Sequence, residues 1–348
     1  MRRITKLMAS VAMLLVLSLA TSCETNVNNS GVPSAPETPE YVTVSLGFDF
    51  VDLDVTYEPL SRAQENKDVY GIQVYSAVPS SDEYNWQPFA YGVFDSTDNL
   101  TINLLKGYEY KFVAIMIKNA KEKLIWHEYW DNDEYVDNYE YSHPFYSTIS
   151  DNFTYGNSDG GPSFEDGYTF LPTSAGGQGN YHHPNVERYY GELEGYTPGD
   201  KGGKAKIQLK RTSFGAKYIA KGKNATNGTL EILMDGAPQL NLNLAESNQI
   251  SEIYTFLYVR EAWLDNNYSE TIPVTLRLVR EDGTTVPLGT HNLTFKRNAT
   301  TVVNVSMDDT SEASGVGVEF LESGEMPEGD EVTIEDGEIV DTEVDTNK

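Results

Sequence analysis

A few positions in this chain combine residue types and spacing that can support chemistry. Cys23 is the only cysteine, and it follows the small residues of Leu19-Ala20-Thr21-Ser22 at the end of an apolar run. A lone thiol cannot form a disulfide within its own chain, so acylation is the chemistry to consider. Arg62-Ala63 lies in the polar, non-periodic stretch Glu58-Pro59-Leu60-Ser61-Arg62-Ala63-Gln64-Glu65-Asn66. Exposed loops of this kind are where proteolysis concentrates, and a cut there would detach whatever strand precedes it. Trp126, Tyr129, Trp130, Tyr135, Tyr139, Tyr141, Phe145 and Tyr146 are interleaved with carboxylates. Such rings either stack on sugars, with Trp126 and Trp130 as the platform, or cap the end of a sandwich. Asp131-Asn132-Asp133-Glu134 offers hard oxygens to calcium but lacks EF-hand spacing. His182-His183 would point to opposite sides of an extended chain, so no metal site is expected there. Gly199-Asp200-Lys201-Gly202-Gly203-Lys204 lacks the phosphate-loop spacing. There is no nucleophile elbow, zinc spacing or paired-carboxylate motif, so the expectation is a protein that is not an enzyme and needs no cofactor.

The elements that must hold these residues follow from the ends and the composition. Arg2, Arg3 and Lys6 open the chain, and Leu7 to Ala20 is mostly apolar but too short to span a bilayer. Residues 1–23 read as a signal peptide whose end resembles a bacterial lipobox, with Cys23 lipidated as the first mature residue. Each buried acyl methylene is worth ~0.8 kcal/mol, so two or three chains would anchor the protein firmly to lipid. Residues 24–40 are rich in Asn, Ser, Pro and Glu and read as a disordered tether. The formal net charge is −28, and loss of three basic residues with the leader takes it to −31. A surface so acidic repels phosphates, which sets nucleic acid aside as a partner.

Hydrophobic residues make up 39% of the chain, helical periodicity is scarce, and turn residues recur at short intervals, which predicts an all-β fold. Val42, Val44, Leu46, Phe48 and Phe50 alternate with polar or small residues, the pattern of a strand with one buried face. The phase then flips at Phe50-Val51, which predicts a bulge or break. Five such side chains, at roughly 1.5–3 kcal/mol each, would contribute ~8–15 kcal/mol. Further strands are expected at Val69–Tyr75, Phe89–Phe94, Leu100–Leu104 and Tyr108–Ile117, with Lys106-Gly107 as the turn of a tight hairpin. Asn152 to Pro198 reads as a long Gly/Ser/Tyr-rich loop or linker. The first domain is set at 41–195.

The second domain, 196–308, is read from about seven alternating runs, among them Ala205-Ile207-Leu209, Phe214–Ala220 and Val274-Leu276-Leu278 before the hairpin signal Asp282-Gly283. Residues 309–348 form an acidic tail in which fourteen of forty residues are Asp or Glu. Two strand-like pieces stand out there: Val316, Val318 and Phe320, and then Val332 and Ile334.

Tyr189-Tyr190-Gly191-Glu192-Leu193, Ile207 to Lys217, the closing run Phe295 to Val305, Ser61-Arg62-Ala63 before Val69–Tyr75, and Leu104–Tyr108 appear in an order that resembles fimbrillin-type (type V pilin-like) surface lipoproteins of Bacteroides-like bacteria. The resemblance covers roughly 41–308. It implies two transthyretin-like β-sandwich domains in tandem. It also implies a palmitate-bearing precursor held to outer-membrane lipid through Cys23, exposed at the cell surface, and cleaved after Arg62. Cleavage would free the 42–50 strand and open a groove for a C-terminal strand of the next pilin subunit. The implied role is a pilus (fimbria) subunit or accessory or tip adhesin, with host or bacterial surface glycans or proteins as further partners. The alternative reading is a glycan-binding surface lipoprotein using Trp126–Tyr146. Asp95-Ser96-Thr97 matches the short O-glycosylation pattern of this bacterial group, with Ser96 as acceptor.

Overall fold

A computed structural model describes residues 39–51, 67–79, 86–124, 126–131, 134–150, 152–156, 164–173, 177–222, 225–307, 333–335 and 338–340. From Pro39 onward the chain forms one unit. Alternation of apolar and polar residues builds most of its strands. They begin with β1 (Tyr41–Phe50), β2 (Val69–Ala77), β3 (Gln87–Phe94), β4 (Thr101–Leu105) and β5 (Glu109–Ile117). A single-turn helix α1 (Ala120–Lys123) precedes β6 (Trp126–Asp131), β7 (Glu134–Tyr141), β8 (Ser147–Thr148), β9 (Thr154–Tyr155), β10 (Thr169–Pro172) and β11 (Gln178–Tyr181). Then come β12 (Arg188–Tyr196) and β13 (Gly203–Arg211).

Eight of these form one sheet in the order β4-β1-β13-β12-β5-β2-β3-β9. β12 and β13 share only two residue pairs, Tyr189 with Arg211 and Tyr190 with Lys210. Past that corner the sheet folds over, so that β4-β1-β13 packs on β12-β5-β2-β3. Val44, Leu46, Ile102, Leu104, Ile207 and Leu209 from one layer meet Ile72, Val74, Phe112 and Met116 from the other in a single core. β5 is buried on both faces: Val113, Ile115 and Ile117 face a second core with Phe145, Phe164, Leu171 and Tyr190.

Three sequence expectations change here. The 104–112 unit is not a hairpin. β4 pairs with β1, whereas β5 pairs with β12 and β2. The Lys106-Gly107 turn is an arch between layers, with Gly107 at φ +79°. The 152–198 segment is not a structureless loop, because β12 runs through the middle of the sheet. Its Tyr189 and Tyr190 are both fully buried on opposite faces, so no alternation marks it. Finally, the boundary at 196 groups the 203–211 strand with the C-terminal strands, yet β13 bonds to β1 and β12.

The rest of the chain adds β14 (Ser213–Lys221), β15 (Thr229–Met234), β16 (Leu240–Asn243), β17 (Gln249–Thr255), the short helix α2 (Val259–Leu264), β18 (Ser269–Val279), β19 (Thr285–Lys296) and β20 (Thr300–Ser306). Sheets β17-β14-β20 and β16-β15-β18-β19 enclose a core built on Phe214, Tyr254, Phe256 and Phe295. The Asp282-Gly283 signal is a hairpin, with Val279 opposite Thr285. In the tail, β21 (Thr333–Glu335) and β22 (Glu338–Val340) pair with each other, Ile334 opposite Ile339.

Arg211 ties the two sandwiches together, and Arg188 anchors the 164–166 segment. Arg188 is fully buried and donates to the carbonyls of Asp166 (2.6 Å) and Phe164 (3.1 Å). Arg211 donates to Glu187 at 2.9 Å and to the Asn298 side chain at 2.5 Å. Charge-assisted bonds of this kind are roughly twice as strong as neutral ones.

Candidate functional site

The site begins with β1, the strand that the sequence marks as the one to be displaced. β1 is an interior strand. It runs antiparallel to β4 from Tyr41–Leu105 to Ser45–Thr101, and parallel to β13 from Val44–Gly203 to Phe50–Leu209. Val42, Val44 and Leu46 point into the core and are buried. Phe48 and Phe50 are only half-buried, although the alternation predicts five equivalent anchors. The reason is that β4 ends its pairing at Ser45, so the second half of β1 has a neighbour on one side only. Phe48 stacks on Tyr70 at 6.0 Å, and Phe50 meets Tyr189 edge-on at 5.9 Å. Three buried anchors at about 1.5–3 kcal/mol each give about 5–9 kcal/mol, less than five would give. The described strand ends at Phe50 with a bend at Val51, where the phase flips.

Ion pairs pin the strand at both ends. Lys106 holds Glu40 at 2.6 Å, and Lys206 pairs with Asp49. The Glu40 partner raises the Lys106 pKa. Gly202 is a further contact that sequence reasoning missed. It sits at φ +87°, and a Cβ there would lie 2.0 Å from the Thr43 carbonyl oxygen. Only glycine lets the 199–202 turn close onto β1.

β2 lies four places away from β1 in the sheet order, beyond β13, β12 and β5. The connection from 52 to 66, with Arg62 and Ala63, lies outside the described residues. So do Cys23, Val316, Val318, Phe320 and Val332; Ile334 lies in the β21–β22 hairpin.

The other candidates are not gathered at β1. β6 and β7 form a hairpin with Trp126 opposite Tyr141 and Trp130 opposite Tyr135; the side chains of Trp126 and Trp130 lie outside the described residues. Ser96 is exposed in a turn, where its hydroxyl accepts from the Asp98 N–H at 3.1 Å. His183 is buried against Phe214, 3.2 Å from the Thr255 carbonyl and 3.6 Å from Glu270. Burial lowers its pKa. Among the described residues no group of three His, Cys, Asp or Glu side chains could hold a metal.

The free edge of β4 was also missed. The Tyr110 hydroxyl accepts from the Leu105 N–H at 2.7 Å and donates to the Leu105 carbonyl at 3.0 Å. Burial raises the Tyr110 pKa. Tyr155 takes the Asn103 N–H at 3.0 Å. The Tyr108-Glu109-Tyr110 run beyond a glycine turn is the only hint the sequence offers.

No family model matches the chain, and no curated protein gives a significant match. Solved structures do resemble it. One is the fimbrial anchor protein Mfa2 from Porphyromonas gingivalis, with 8% identity, a TM-score of 0.38, and coverage of 81% of this chain and 97% of that one. Another is the tip fimbrial protein Mfa3 from the same organism, with a C-terminal truncation, at 9% identity, TM-score 0.30, and 81% and 97% coverage. A third is a candidate adhesin from Bacteroides ovatus at 10% identity, TM-score 0.35, and 81% and 93% coverage. These three neighbours are two fimbrial proteins of Porphyromonas and an adhesin candidate of Bacteroides.

Proposed function

We propose that this chain is a fimbrillin-type cell-surface subunit that assembles by strand exchange, with β1 as the strand that leaves. The observation that supports this most is the position of β1 between β4 and β13 with Val42, Val44 and Leu46 buried. Removing β1 would bare the inner edges of both neighbours and a row of apolar pockets. The loss of about 5–9 kcal/mol is comparable to the net stability of a whole domain, so the slot demands a replacement. A strand from another copy meets that demand with main-chain hydrogen bonds and alternate apolar anchors.

In this reading Cys23 carries the lipid that holds the precursor to the outer membrane, and hydrolysis after Arg62 frees β1 together with its tether. The 309–348 tail supplies the donor, through Val316, Val318 and Phe320 or through Val332 and Ile334. The role is non-enzymatic.

The test is digestion of the intact chain with an arginine-specific protease, followed by mass spectrometry and sizing. The expected result is a dominant cut after Arg62 and growth into oligomers, both abolished by Arg62→Ala. Failure to cut there, or oligomers that form equally in Arg62→Ala, would contradict the reading.

A further inference from the structure

We propose that the seam beside Tyr41 and Tyr155 is a binding site for a neutral hexose ring of an oligosaccharide. The folded-over sheet leaves its two edge strands, β4 and β9, facing each other. Between them lies a cavity of about 660 Å³ lined by Tyr41, Pro88, Phe89, Asn103, Tyr155 and Gly156. That volume falls within the roughly 300–1,000 Å³ of ordinary ligand clefts.

Three observations define the ligand. First, two tyrosine rings are left in solvent at the cavity: Tyr41 is 56% exposed and Tyr155 47%. Tyr155 is nonetheless fixed. Its hydroxyl takes the Asn103 N–H at 3.0 Å, and its ring meets Phe89 at 5.6 Å and 90°. Phe89 in turn rests edge-on against Tyr110 at 5.2 Å. A rigid, exposed ring presents a face for stacking at little entropic cost. Second, the lining carries no charged side chain, and the chain as a whole bears −28. Phosphorylated or carboxylated ligands would therefore be repelled without a compensating cation. Third, the cavity has polar equipment that a purely aliphatic ligand would leave unused. The Asn103 amide oxygen accepts from Thr43 Oγ1 at 2.8 Å, which leaves its NH₂ as a donor at the rim. A peptide strand is disfavoured, because Tyr155 already occupies the β4 edge amide that an added strand would need. Stacking faces beside an amide, without charge, suit a polyol ring with one apolar face.

This site is separate from the Trp126–Trp130 segment and does not depend on strand exchange. Because Tyr41 belongs to β1, the site is complete only while β1 is in place.

The test is saturation-transfer NMR of the full chain with cellotriose, maltotriose and mannotriose as probes. At least one should show transfer to its ring protons. Its affinity should fall at least tenfold in Tyr41→Ala and in Tyr155→Ala and stay unchanged in Trp126→Ala. Should Tyr155→Ala fail to fold, Tyr41→Ala decides, since that side chain lies at the exposed start of its strand. Absence of transfer from all three probes would overturn the proposal. So would parental affinity in a folded Tyr41→Ala, or loss in Trp126→Ala alone.

Discussion

The hydroxyl of Tyr155 accepts the backbone N–H of Asn103 at 3.0 Å, on the side of β4 turned away from β1. Two positions on, Tyr110 satisfies both backbone groups of Leu105. An open strand edge invites another strand. Two side-chain hydroxyls close this one, so in the proposed account an incoming strand is directed to the slot of β1 rather than the outside of β4. Tyr155→Phe keeps the ring and removes the acceptor. It should lower stability by about 0.5–1.5 kcal/mol, and the Asn103 amide should lose protection in hydrogen exchange while the interior strands keep theirs.

The unequal burial along β1 gives a graded expectation. Leu46→Ala should cost about 2–5 kcal/mol in denaturant unfolding, because it empties a core position. Ser45→Ala, one residue away and exposed, should stay within about 0.5 kcal/mol. Phe48→Ala should fall between them, since the ring is half-buried and keeps one stacking partner, Tyr70.

Gly202 controls how tightly β1 is seated. Gly202→Ala places a methyl 2.0 Å from the Thr43 oxygen at a φ of +87°. The cost should exceed about 1 kcal/mol, and the β1 amides should exchange faster than those of β13's other neighbour, β12. Gly47→Ala lies on the same strand but meets nothing within 4 Å, so it should leave exchange unchanged.

Glu192 links the sandwiches through charge. Its carboxylate takes Tyr190 Oη at 2.6 Å, Arg260 Nε at 2.6 Å and lies 3.1 Å from Lys111. Burial pushes its pKa up, but the bonds from Arg260 and Tyr190 and the charge of Lys111 outweigh it, and the net shift is downward. A carboxyl with a depressed native pKa stabilises the fold above the ordinary glutamate value of about 4.3. That stability is lost as pH falls from there through the native value. Glu192→Gln should therefore destabilise by about 1.5–3 kcal/mol at pH 7 and flatten the acid limb of the stability curve below about pH 5, read from denaturant midpoints.

Alternation exposed those strands that have one wet face. The first half of β1, most of β18 and the Asp282-Gly283 turn are legible because buried residues alternate with more exposed ones along those strands. β12 was hidden because both of its faces are packed and Tyr189-Tyr190 gives no period. The β4–β5 arch looked like a hairpin because a glycine turn between two alternating runs carries no record of which strands they pair with. β13 carries no local sign of its neighbours for the same reason: its pattern shows one buried face, and only long-range pairing shows that β1 lies beside it. Within the candidate site, the apolar anchors were readable. The backbone contact of Gly202 with Thr43 and the tyrosine caps on β4 bring together residues far apart in the chain, with no local signature.

In the proposed assembly the slot of β1 changes occupant. Mass spectrometry and hydrogen exchange on assembled material purified from the cell surface would read that change. Strand exchange predicts a mature N-terminus at Ala63, absence of the 41–50 peptide, and strong protection of both β13 and a segment of the 309–348 tail. Assembled material that retains the 41–50 peptide in equal amount to the rest of the chain would contradict it.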